Sequence, residues 1–146
     1  MSPPVTRIPN DATLPQSADV VVIGGGIAGI TAAYHLAKKG HSVAVVEKGY
    51  VAGEQSSRNW GWCRQQNRDL RELPLAQRAV DMWSGLNEEL GAETGFRRTG
   101  LIYVTTSQSD LDRWARWSDQ AREMQMRSHV LSSAEAKSMS PGSTET

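Results

Sequence analysis

Gly24, Gly26 and Gly29 form a G-x-G-x-x-G run, and Glu47 follows eighteen positions after the last of them. Bare backbone at such a turn suits a pyrophosphate, because N–H groups can reach its oxygens with no side chain in the way. A carboxylate at that distance suits a ribose, whose hydroxyls it can accept from. The chemistry these residues support is the binding of an adenine dinucleotide. Gly24 is expected to turn the chain off a strand, and Gly26 to bring backbone onto the phosphates. Gly29 is expected to let a helix pack closely on the strands.

The elements that must position them surround the motif. Asp19–Ile23 is an apolar β-forming run, a helical pattern extends to Lys39, and Gly40 stands where a helix C-terminal glycine belongs. Ser42–Glu47 reads as the second strand of a β-α-β unit. The helix is expected to bury Ile27, Ile30, Ala33, Leu36 and Ala37, with His35 at its surface or boundary. Residues 1–16, rich in proline and polar side chains and without an apolar stretch, read as a flexible arm rather than a secretory signal. Gly49–Arg64 has no period, and its length with Trp60 and Trp62 points to a ligand-lining loop.

Further along, Leu73, Ala76, Val80, Trp83, Leu86 and Leu90 predict a helix over about Glu72–Leu90, with Pro74 in its first turn and Gly91 at its end. Phe96–Thr105 alternates and predicts a strand pair or one broken strand. Ser107 and Asp110 open another helix, with Leu111, Trp114, Ser118 and Ala121 on one face. Ser128–Leu131 is a short strand candidate, Ser132–Glu135 a capping box, and Pro141–Gly142 a break. Trp83, Trp114, Trp117, Met124 and Met126 are expected in the core.

The 146 residues carry 16 Lys plus Arg against 16 Asp plus Glu, with no basic cluster, which gives no footing to nucleic acid or an anionic membrane as partner. Cys63 is the single cysteine, so an internal disulfide and a cysteine metal site are excluded, no metal is expected, and a reducing cytoplasmic setting is. Its thiol is expected to be buried. No run of apolar residues is long enough for a transmembrane helix. Only one β-α-β unit is visible, whereas a doubly wound sheet needs several parallel strands. The chain is therefore expected to be the N-terminal part of a larger protein, truncated, nicked or one of two chains.

Taken together, Val20–Glu47, Ser56-Ser57-Arg58-Asn59-Trp60-Gly61-Trp62 and Arg64-Gln65-Gln66 resemble the FAD-dependent amine oxidoreductases of the D-amino-acid oxidase and glycine oxidase type. Bacterial L-amino-acid oxidases of that fold are the nearest likeness, spanning about Ala18–Met139. The resemblance implies an α/β Rossmann-like FAD-binding unit over 17–70, then a connecting helix and the beginning of an α+β substrate domain over 71–146, incomplete without further chain. It implies FAD, with Gly24, Gly26, Ile27, Ala28 and Gly29 at the pyrophosphate, Glu47 at the adenosine ribose and Lys48 beside the adenosine. Ser56, Ser57, Arg58 and Asn59 would follow the diphosphate and ribityl chain. Trp60, Gly61 and Trp62 would face the isoalloxazine ring.

The activity it implies is oxidative deamination of an amino acid, L favoured. Hydride passes from the α-carbon to flavin N5, the imine hydrolyses to keto acid and ammonia, and oxygen reoxidises the flavin to give hydrogen peroxide. The alternatives are a flavin dehydrogenase of D-amino acids, opines or secondary amines with another acceptor, and a nicotinamide-dependent dehydrogenase. No catalytic residue is assigned. Arg64 and Gln66 are candidates for contact with substrate or flavin, against the plainer readings of a salt-bridged arginine and a surface glutamine. The remaining partners expected are an amino acid substrate, the rest of the protein or a complementary chain, and further copies in a homo-oligomer.

Overall fold

Valine and isoleucine, stiff at χ1 and suited to a pleated surface, form β1 (Val20–Ile23) and β2 (Val43–Val46) in the computed structural model, which describes residues 5–142. The strands run parallel, Val20 opposite Val43 and Ile23 opposite Val46, and the Gly24 N–H extends the ladder to the Val46 carbonyl at 2.8 Å. Their starts are tied by side chains. The Ser42 hydroxyl and N–H both donate to Asp19 Oδ2, at 2.7 and 2.8 Å, and these bonds hold the Asp19 carboxyl below its ordinary range.

The crossover between the strands is α1 (Ile27–Lys38). It packs on the face that carries Val22 and buries Ala33, with Ile30 and Leu36 half-buried. Ile27 and Ala37, both expected inside, are exposed. Two strands are too narrow a floor to cover a full helical stripe. Gly40, at φ +90°, ends the helix as expected, donating to the Ala37 carbonyl at 2.9 Å while His41 reaches back to Leu36. On the opposite face of the sheet Val21 and Ile23 are 58% and 88% exposed. That face is the one a doubly wound sheet covers, so the α/β unit is an incomplete Rossmann-like fold.

The first compact unit ends at Trp62 and a second begins at Cys63. The second is helical: α2 (Leu73–Leu90), α3 (Gln108–Glu123) and α4 (Ser133–Met139). Its core is Leu73, Trp117 and Ala121, ringed by Leu70, Met124 and Met126. The Trp117 indole N–H donates to the Arg68 carbonyl at 2.7 Å, and Gln77 Nε2 donates to the Met124 carbonyl at 2.8 Å, so these two side chains find partners where they enter the core. The buried stripe of α3 runs through Trp117, Ser118 and Ala121, with Leu111 and Trp114 only half-buried, a slight rotation from the expected face. Leu90, expected on the apolar stripe of α2, is also exposed.

The helix signals read from the sequence hold. Pro74 lies in the first turn of α2, Gly91 ends it at φ +60°, and Ser132 and Glu135 make a reciprocal capping box. The strands expected at Phe96–Thr105 and Ser128–Leu131 are not formed among the described residues. Gly95 and Gly100, at φ +79° and +84°, bend the chain where a strand would run straight. Side chains from that stretch instead join the helices: Phe96 stacks on Trp83 at 5.9 Å and Tyr103 leans on Trp114 at 5.8 Å. Ser128 is likewise held by Gln66 rather than by a ladder. Cys63, expected to be buried, is exposed. Among the described residues no helix is long and apolar enough to cross a membrane.

Candidate functional site

The site is the start of α1. Gly24 leaves β1 at φ +105°, a conformation open to glycine and strained for side chains, so the chain turns at once toward the helix. Gly29 sits one turn in, where an added Cβ would stand 2.0 Å from the Gly24 carbonyl oxygen and 3.2 Å from Val22 Cγ1. Its role is therefore contact of helix with turn and strand, as its spacing predicts. Gly26 is the N-cap and offers no side-chain hydrogen bond, so the first N–H groups of α1 have no partner from their own cap. The helix dipole adds positive potential at the same point.

Two side chains from later in the chain close on this turn. Ser56, in a short 3-10 turn over Gln55–Ser57, accepts the Ile27 N–H on its Oγ at 2.8 Å, and a Cβ on Gly26 would come within 3.1 Å of that oxygen. Glu47, just past β2, accepts from Gly25 N–H on Oε2 at 2.7 Å and from Gly49 N–H on Oε1 at 2.9 Å. The Gly25 bond first, then the Gly49 bond, hold its carboxyl below the ordinary range. A carboxylate has about four acceptor positions, so two remain for hydroxyl donors. The sequence singled out Glu47 for such hydroxyls, and its grip on Gly25 was missed. Gly25 lies inside the motif but outside its three signature positions, which is why spacing alone gave no sign of it.

The remaining candidates sort by what they touch. Asn59 shapes the loop, donating from Nδ2 to the Ser56 carbonyl at 2.7 Å and accepting the Gly61 N–H at 2.6 Å, with Gly61 at φ +72°. Ser57 bonds locally to the Glu54 carbonyl. Arg58 pairs with Glu54 at 3.2 Å, and Lys48 reaches the same carboxylate at 4.0 Å. Those two cations meet at Glu54, which sequence reasoning did not single out. Trp60 and Trp62 pack edge to face at 5.4 Å, and Trp60 is 82% exposed. Ile27 and Ala28 contribute backbone at the helix start. Arg64 and Gln66 lie in the second unit. Arg64 donates to the Gln66 carbonyl at 2.7 Å, while the Gln66 amide oxygen accepts from Ser128, so this glutamine is half-buried and engaged rather than a free surface residue.

Removing the Ser56 hydroxyl deprives Ile27 N–H of its acceptor, and Ser56→Ala is expected to lower stability by about 1 kcal/mol, the usual value of a helix cap. Ser57→Ala, which breaks only a local loop bond, should stay within about 0.5 kcal/mol of wild type. Urea unfolding of the two variants checks this, and equal losses would contradict the assignment.

A glycine-floored helix start between two parallel strands, with a carboxylate at the end of the second, defines a dinucleotide-binding β-α-β protein. The model of the FAD-dependent oxidoreductase family (DAO) matches residues 19–146, and the chain belongs to that family. Human mitochondrial sarcosine dehydrogenase is 35% identical over 132 residues, 88% of this chain and 14% of that protein. An L-amino acid deaminase structure from Proteus vulgaris, with its specific insertion sequence deleted, superposes with a TM-score of 0.85 at 32% identity, covering 97% of this chain and 38% of that one. The L-amino acid deaminase of Proteus myxofaciens, in complex with anthranilate, gives 0.80 at 35% identity, over 90% of this chain and 30% of that one. This chain thus spans well under half the length of these relatives. The family's cofactor is FAD, which displaces the nicotinamide alternative. The glycine turn, the helix start that its own N-cap glycine leaves open and the spare acceptor positions of Glu47 fit that group.

Proposed function

We propose that this chain holds the adenosine-diphosphate end of FAD in an enzyme that oxidises the carbon–nitrogen bond of an amino acid, L-amino acids favoured. The observation that carries the reading is the start of α1, uncapped by its own side chain and enclosed by Gly24–Gly26, Ser56 and Glu47. In this reading Gly26 and Ala28 present backbone N–H groups to the pyrophosphate while the Ile27 N–H stays on Ser56, with Gly24 and Gly29 giving the turn its shape. The Ser56 hydroxyl, already accepting from Ile27, has its own proton free to donate to a phosphate oxygen. Glu47 receives the ribose hydroxyls while keeping Gly25 in place. Lys48, Ser57, Arg58 and Asn59 shape the loop along which the cofactor continues, and Trp60, Gly61 and Trp62 bring apolar surface toward its ring. Arg64 and Gln66 stand as candidates on the substrate side.

When bound, flavin supplies the two-electron oxidation of the amine, and the protein's task is to orient the reactants and exclude water. The imine product hydrolyses to a keto acid and ammonia, and oxygen as final acceptor would yield hydrogen peroxide. Support for an amino acid substrate comes from the two deaminases, whose fold this chain shares over at least 90% of its length. The sarcosine dehydrogenase likeness favours a second reading, a secondary amine with a different electron acceptor. The reading extends to the domain division at residue 70, to a further segment or complementary chain that completes the flavin seat, to a homo-oligomer and to a cytoplasmic site.

The test is anaerobic mixing of the flavin-loaded protein with L-amino acids, D-amino acids and sarcosine. Bleaching of the flavin by L-amino acids, with peroxide formed on readmitting air, is the expected result. Bleaching by sarcosine alone, or no peroxide, would move the assignment to the second reading. Protein that takes up no flavin would refute both.

A further inference from the structure

We propose that Arg7, in the N-terminal arm, and Tyr50 form a buttress that sets the glycine turn from behind and so controls how tightly FAD is held. The proposal rests on the reading of the α1 start as the FAD seat. The Arg7 guanidinium carbon lies 4.5 Å from the centroid of the Tyr50 ring, within the reach of a cation–π attraction. The same ring is met by the backbone of Gly53. A Cβ there would stand 3.0 Å from ring atoms Cε2 and Cζ and 2.9 Å from the Tyr50 carbonyl oxygen. Only glycine lets the chain lie so close to the ring, and Gly53 N–H closes the turn by donating to the Tyr50 carbonyl at 3.0 Å.

Between Tyr50 and Gly53 stands Ala52, at φ +59°, a left-handed conformation that an alanine adopts only where its surroundings impose it. In that conformation its N–H donates to the Gly25 carbonyl at 2.8 Å. The Gly25 N–H is held in turn by Glu47 at 2.7 Å. Both polar backbone groups of Gly25, the residue between Gly24 and Gly26, are therefore fixed by the segment 47–52. That segment keeps its strained shape through the packing of Tyr50 on Gly53, with Arg7 over the same ring. The arm is tied into the site by a positioning residue, where the sequence suggested only a loose tail.

The experiment is a double-mutant cycle read as the FAD dissociation constant from flavin fluorescence, on the full protein stripped of flavin and re-titrated. Arg7→Gln and Tyr50→Leu are each expected to weaken binding roughly two- to fivefold, the range an exposed cation–π contact spans. Tyr50→Phe, which keeps the ring, should bind as wild type. The double variant Arg7→Gln/Tyr50→Leu should bind no more weakly than Tyr50→Leu alone, because the two residues act through one contact. Arg7→Gln binding FAD as tightly as wild type, or losses that multiply in the double variant, would overturn the buttress while leaving the seat intact. Wild-type protein with no affinity for FAD would overturn the seat, and the buttress with it.

Discussion

Replacing Gly29 with alanine is expected to lose about 1–3 kcal/mol of stability through overpacking. The same change at an unhindered mid-helix position would gain about 1 kcal/mol from helix propensity. The difference is steric. The new methyl would stand 2.0 Å from the Gly24 carbonyl oxygen, a backbone atom that moves only if the glycine turn moves with it. The turn is also the proposed FAD seat, so on that reading the dissociation constant for FAD should rise by about tenfold or more, as 1.4 kcal/mol of misplacement implies. Gly85, inside α2 with nothing within 4 Å of an added Cβ, is the internal control. Gly85→Ala should be as stable as wild type or stabilised by up to about 1 kcal/mol. Urea midpoints and FAD titrations of the two variants give the comparison. Gly29→Ala with unchanged stability would show that α1 does not depend on this close approach.

Glu47→Ala carries the second large effect. Its carboxylate now accepts from Gly25 and Gly49, and in the proposed complex it would accept from the ribose as well. Loss of charged hydrogen bonds of this kind is expected to weaken FAD binding by about ten- to a hundredfold. Glu47→Gln should fall between, since its amide keeps one acceptor oxygen and turns the other into a donor facing an N–H. The pH dependence has a definite sign. A carboxyl held below its ordinary value gives stability that is complete above pH 4.5 and disappears as pH falls through the lower folded value. Wild type should lose this increment in that acid window, and Glu47→Gln should show a smaller step, because Asp19 and other carboxyls held low still titrate there. A step of equal size in Glu47→Gln would assign the acid sensitivity elsewhere.

The shape of the proposed site could be read from the chain because a glycine turn between strand and helix is made of local features. A strand, glycines at fixed steps and a helix follow one another directly, so spacing specified Gly24, Gly26, Gly29 and Glu47. What spacing could not carry was contact between distant positions. Nothing local to Ser56 says that its hydroxyl will reach Ile27, twenty-nine residues earlier. Nor does anything near Arg7 announce Tyr50. The helices of the second unit were legible for the same local reason, through Pro74, Gly91 and the Ser132–Glu135 box. Strand formation is different, because a ladder needs a partner that periodicity does not supply. Phe96–Thr105 alternates as a strand does, yet Gly95 and Gly100 bend it and its aromatic residues settle on α2 and α3. Helix burial was over-read in α1 because a sequence pattern does not reveal the width of the sheet beneath.

Amide hydrogen exchange with and without FAD tests the central claim most directly. FAD is expected to slow exchange at Gly26 and Ala28 and at the segments around Glu47 and Ser56, with little change along α2 and α3 away from the cofactor. Exchange at the start of α1 that FAD leaves unaltered, in protein shown to have bound it, would contradict the account.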